Sequence, residues 1–222
     1  MRTLHELIDT GDPAWPVLQE WIASAKNPIE VLECDRVLAE EALVCTQVTT
    51  HSVMGAIVYE TGGILIDDGW IRILGSGSSR LKRSLPEWNK GKTFSNHGEV
   101  PPYMLIADDA VGGFFAINGG YLGNDKGNIY YFAPDTVKWE SLDISYTQFI
   151  QFCLFSDTSK FYNGLRWNKW KEDVKNLNAD YAYSFFPFLW TKEGKDIETV
   201  SRKVIPVQEV YDFNLGMESS IQ

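Results

Sequence analysis

Between Ala56 and Leu142 the sequence breaks into short apolar runs separated by glycine, aspartate and asparagine. Ile64–Ile66, Trp70–Leu74, Tyr103–Ala107, Gly113–Ile117, Ile129–Phe132 and Val137–Leu142 are rich in β-branched and aromatic residues. Gly62-Gly63, Asp67-Asp68-Gly69, Asn118-Gly119-Gly120 and Asn124-Asp125-Lys126-Gly127 punctuate them with residues that tolerate left-handed backbone angles. Runs this short cannot complete several helical turns. They predict strands joined by tight turns, and Ala56–Tyr59 is expected to be one more strand of the same kind.

The flanks follow a different period. Thr3 and Glu6 make a capping-box pattern for a first helix, and Asp12-Pro13 is expected to open a second. Trp15, Leu18, Ile22 and Ala25 would share its apolar face, and Asn27-Pro28 would end it. A third helix is expected from Asp35 to about Cys45. Ser145 and Gln148 repeat the capping box before Phe149, Phe152 and Cys153, and a further helical region surrounds Trp167–Leu177. The apolar segment Ser184–Trp190 is interrupted by Pro187; a last strand is expected within Val204–Phe213, and GMESSIQ reads as a loose tail.

Helices, then a run of strands, then helices predict an α+β fold. The expected architecture is a mainly antiparallel sheet of about six strands, flanked by N-terminal and C-terminal helices. No repeat or linker interrupts it, so residues 1–222 read as one domain with an N-terminal helical extension over about 1–46. Residues 75–102 are polar and irregular, a long excursion with one helical turn expected near Pro86–Trp88; such excursions are often functional.

Composition narrows the function classes. Apolar residues are 44% of the chain and eight are Trp, enough to build a core. Trp139, Trp167, Trp170 and Trp190 are expected to serve that core, with some reaching the surface, where Trp and Tyr are favoured at interfaces. The formal charge of −10 disfavours nucleic acid as a partner and would attract a basic protein. No apolar run is long enough to span a membrane. Cys34, Cys45 and Cys153 are odd in number and lie in apolar surroundings; they predict reduced, buried thiols and a cytoplasmic location.

Catalytic patterns fail one by one. In the stretch Trp70–Leu85, Gly75-Ser76-Gly77 follows a strand as a dinucleotide fingerprint would, but Arg80 stands where the third glycine belongs. The glycines of Asp108–Asp135 match no phosphate-binding loop and are assigned to turns. His5, His51 and His97 are isolated from other metal ligands, and Asn124–Asn128 lacks the alternating acids of a calcium loop. Adjacent carboxylates at Asp67-Asp68 and Asp108-Asp109 would point to opposite faces of a strand. No catalytic residue and no cofactor is therefore expected. Arg80, Lys82 and Arg83 form the one local basic patch. Together with Asp67, Asp68 and Trp70 they are the candidate contacts for a ligand or partner, a small-molecule site beneath the 75–102 excursion being the rival reading.

The segments DDAVGGFFAING, GNIYYFAPD and SYTQFIQF resemble the SUKH superfamily, which includes yeast cell-wall-assembly regulators and many bacterial immunity proteins. The corresponding positions are Gly112 to Ile117, Ile129 to Asp135 and Ser145 to Phe152. Over its whole length the chain is also similar to an uncharacterised bacterial family through DPAWPVLQEWI, ETGGILIDDGWIRILGSG and YSFFPFLWT. The SUKH resemblance implies an α+β fold and protein binding without catalysis, in some relatives the neutralisation of a basic toxin nuclease. A structural homodimer is the remaining alternative.

Overall fold

The computed structural model describes residues 1–221. Seven strands form one antiparallel sheet whose spatial order follows chain order. They are β1 (Ile29–Leu32), β2 (Gly63–Ile66), β3 (Ile71–Leu74), β4 (Tyr103–Asp109), β5 (Phe114–Asn118), β6 (Asn128–Ala133) and β7 (Lys138–Ser145). A separate pair, β8 (Tyr181–Phe186) and β9 (Ser201–Pro206), is also antiparallel. Helices α1 (Leu4–Leu7) and α2 (Trp15–Ala23) precede β1, while α3 (Arg36–Thr46) and α4 (Val53–Glu60) lie between β1 and β2. Helix α5 (Leu85–Asn89) separates β3 from β4. After β7 come α6 (Tyr146–Phe155), α7 (Thr158–Phe161) and α8 (Trp170–Lys175), and α9 (Val207–Ile221) follows β9. The chain is thus α+β, built on a mainly antiparallel sheet with helices at both ends.

Local chemistry accounts for most of the meander. Asp67 and Asp68 hold φ values of 57° and 60° and Gly69 one of 91°, which turns β2 tightly into β3. Asn118 organises the glycine-rich turn after β5. Its Oδ1 accepts from the backbone of Gly120 and Leu122, and its Nδ2 donates to the Gly123 carbonyl. Gly112 and Gly113 are needed for close approach rather than for phosphate. A Cβ on Gly112 would lie 2.5 Å from Val210 of α9, and one on Gly113 would lie 2.3 Å from the Tyr131 hydroxyl. Strands β2 and β3 are buried at every position, so they read as continuous apolar runs. The core joins Phe114, Phe115 and Phe132 to Phe149 of α6, all fully buried.

The excursion is anchored along its length. Ser76 and Gly77 donate to the carbonyls of Thr61 and Gly62, and a Cβ on Gly75 would meet the Thr61 carbonyl at 2.5 Å. The two fingerprint-like glycines therefore serve backbone packing. Ser84 caps α5, and the fully buried Asn89 exchanges two 2.8 Å hydrogen bonds with the backbone of Leu105.

Several expectations need correction. Ala56–Tyr59 is part of α4, capped by Ser52, not a strand. Met54 to Val58 are all buried, so the helix carries no polar face and its apolar run is indistinguishable from a core strand by period alone. Ile29–Leu32, placed after the expected end of α2, is instead the edge strand β1, paired with β2 from Ile29↔Ile66 to Leu32↔Gly63. Helix α2 begins at Trp15, with Pro16 in its first turn, so Asp12-Pro13 lies outside it. In Val204–Phe213 the strand ends at Pro206 and α9 takes over. The GMESSI part of the expected tail continues that helix, and Gln222 lies outside the described residues. Of the thiols only Cys153 is buried; Cys34 and Cys45 are partly exposed, and all three are free. No helix of the described residues is long and apolar enough to cross a membrane.

Candidate functional site

The six candidate contact residues separate into three places. Asp67 accepts from the Thr158 hydroxyl at 2.7 Å and pairs with Arg166 at 2.5 Å. That guanidinium in turn lies 4.8 Å from Trp70, 5.1 Å from Tyr162 and 4.1 Å from Trp170, measured to the ring centres. Trp70 itself is fully buried and also meets Trp167 at 5.7 Å. Asp68 is half-buried in the β2–β3 turn. Arg80 points elsewhere, to an exposed ion pair with Glu30. Only Lys82 and Arg83 line a cleft together.

Arg83 is the outer end of an ion-pair chain that begins in the core. Arg72 on β3 places Nε 2.5 Å from Asp108 of β4, and both side chains are about 1% exposed. The second Asp108 oxygen pairs with Arg83 Nη1. Arg83 Nε reaches Asp180 at 3.2 Å, and its Nη2 donates to the Ala179 carbonyl at 2.7 Å. Each branch of this guanidinium is occupied, so it ties the excursion to the sheet and to the segment before β8. The neighbouring Asp109 belongs to another network, accepting from Gly113 N at 2.8 Å and from the Tyr131 hydroxyl at 2.7 Å. Burial raises the pKa of Asp109 despite those hydrogen bonds. The pleat has sent the two adjacent carboxylates to different partners, as neighbouring positions on a strand require.

Two histidines have acidic neighbours. His51 Nδ1 lies 3.6 Å from Asp12 and 3.7 Å from Asp9, an exposed cluster, and His97 Nε2 lies 3.4 Å from Glu87. Among the described residues no three His, Cys, Asp or Glu converge as a metal site.

An exposed apolar surface lies between the β8–β9 pair and α9. Phe186 is 67% exposed and Phe213 41%. Phe188 stacks on Trp190 with centroids 4.6 Å apart and planes 6° off parallel, and it meets Phe186 and Phe213 at 5.9 and 5.1 Å. Phe188, Trp190 and Phe213 line a groove of about 260 Å³ together with the buried Val111, Leu189 and Val210, and Phe186 packs against Phe188 beside it. Large apolar side chains gathered at a surface are the usual mark of an interaction site. The apolar segment Ser184–Trp190 is legible in the sequence, but which of its side chains face outward is not. The pleat alternates them: Phe185 is buried and Phe186 exposed. Phe213 joins from a helix that sequence patterning reads as strand. Trp167 is buried, whereas Trp139, Trp170 and Trp190 remain partly exposed.

These elements define an α+β protein that carries an aromatic groove at the junction of a two-stranded sheet and a C-terminal helix. Residues 4–210 match the model of a family described as a protein of unknown function, DUF2625, and the chain belongs to that family. It is 45% identical to YbfG of Escherichia coli (strain K12) over 220 residues, covering 99% of both chains. An uncharacterized protein of Haemophilus influenzae is 44% identical over 216 residues, 97% of this chain and 95% of its own.

Proposed function

We propose that this chain is a non-enzymatic protein-binding module that uses the aromatic groove to hold a basic protein partner. The observation that carries the reading is the gathering of Phe186, Phe188, Trp190 and Phe213 at one surface. The net charge of −10 complements a basic partner and would speed its encounter. The internal engagement of Asp67, Asp108 and Asp109 supports a structural role for these carboxylates rather than acid–base chemistry. The SUKH-type resemblance supports the narrower reading of an immunity protein that neutralises a toxin. The free, partly exposed Cys34 and Cys45 are in keeping with a reducing cytoplasm.

A photo-crosslinking side chain at position 186 tests the contact surface in the native host, with position 100 as the control because Val100 is 91% exposed. A discrete adduct with a basic protein at 186 but not at 100 is expected. An adduct of the mass of two copies would replace this reading by a homodimer, and no specific adduct at 186 would sink it. For the immunity reading, co-expression with toxins encoded beside the gene should restore growth, and a Phe186→Asp/Phe213→Asp chain should not.

A further inference from the structure

A second cleft, about 550 Å³, lies at the Tyr181–Pro206 end of the β8–β9 pair, between the excursion and the start of α9. Its cationic wall is Lys82, Arg83 and Lys92; Glu87 and Asp180 are its acidic groups, and Tyr181 and Pro206 give it apolar surface. Arg83 is spent on Asp108, Asp180 and the Ala179 carbonyl. Asp180 is likewise engaged, by Arg83 and by the backbone N–H of Lys82. Lys92 differs. Its ammonium lies 4.0 Å from the centre of the Trp88 ring and 5.7 Å from that of Tyr211. No carboxylate of the described residues comes within 4.0 Å of it. Burial lowers its pKa; Asp212 opposes this and Arg83 adds to it.

The backbone beneath it is anchored. Lys92 N donates to the Asn89 carbonyl at 2.9 Å, and Asn89 is bolted to Leu105 of β4 by two hydrogen bonds. A partly buried cation lying over aromatic rings at a cleft, with an exposed lysine in the same lining and apolar surface from Tyr181 and Pro206, suits an anionic head on an apolar body.

We propose that this cleft binds a small organic oxyanion, its carboxylate or phosphate ester held by Lys92 and Lys82 and its apolar body resting against Tyr181 and Pro206. The site is separate from the aromatic groove, and its occupancy does not depend on the protein-binding reading.

Titration with benzoate, phenyl phosphate and inorganic phosphate, followed by calorimetry and by NMR of the lysine ammonium groups, tests it. Benzoate or phenyl phosphate should bind saturably and at least tenfold more tightly than inorganic phosphate. The better of the two identifies the head group. Lys92→Met should weaken binding at least tenfold and Lys82→Met by a smaller factor, and bound ligand should raise the pKa of the Lys92 ammonium. Phe186→Asp should leave the affinity unchanged. No saturable binding of either aromatic anion, or binding indifferent to both lysine substitutions, would overturn the proposal; circular dichroism of each variant separates loss of the site from loss of fold.

Discussion

Arg72 and Asp108 face each other across β3 and β4, with Nε 2.5 Å from Oδ1 and both side chains almost wholly withdrawn from water. A charge so deeply buried is tolerated only while its partner remains, because desolvation is not recovered when one member is lost. Asp108 has a second partner in Arg83, whereas Arg72 has no other ion pair among the described residues.

That asymmetry predicts unequal effects. Asp108→Ala strands the fully buried Arg72 and should cost about 3–5 kcal/mol. Arg72→Met leaves Asp108 paired with Arg83 and should cost clearly less. Urea unfolding of the two variants checks this; equal losses would show that Arg83 does not compensate Asp108.

Gly113 predicts a steric effect. An added Cβ would meet the Tyr131 hydroxyl at 2.3 Å and an Asp109 oxygen at 2.4 Å. Gly113→Ala should therefore destabilise by about 1–3 kcal/mol through overpacking. Combining it with Tyr131→Phe removes the closest atom and should recover part of the loss in thermal melts. Additive losses would place the strain elsewhere.

Asp109 predicts a pH dependence. Burial raises its folded-state pKa above the ordinary 3.8, so the folded chain holds this proton to higher pH than the unfolded chain does. Between those two values the native state binds more protons, and stability contributed by the protonated carboxyl is lost as pH rises. The loss begins near 3.8 and is complete above the folded-state pKa. Asp109→Asn, which cannot ionise, should remove that downward component from the stability–pH curve. Chemical unfolding across pH 4–8 reads it directly, and parallel curves for the two proteins would refute it.

Phe186 predicts the opposite of a core residue. At 67% exposure, Phe186→Asp should change stability by no more than about 0.5 kcal/mol, the usual range for surface substitutions. Its cost should appear in partner capture instead. A drop in melting temperature as large as that of a buried aromatic would show that the ring supports the groove rather than offering it.

The residues that act locally declared themselves in the sequence. Ser145 and Gln148 announced α6, because a capping box closes within one turn. Asp67-Asp68-Gly69 announced a hairpin, because few residues accept left-handed angles in succession. Other features depended on contacts between distant segments. Ala56–Tyr59 became helix and Ile29–Leu32 became strand through packing that no local period records. Arg83 meets Asp180 across 97 residues, and Phe213 meets Phe188 only because α9 folds back over β8. The sequence by itself determined where the chain turns, caps and alternates, since those choices are settled by steric preference and hydrogen bonding within a few residues. The tertiary structure alone decided which carboxylates are buried, which aromatics stay exposed and which lysine lies over aromatic rings. Burial and charge pairing are properties of the assembled chain.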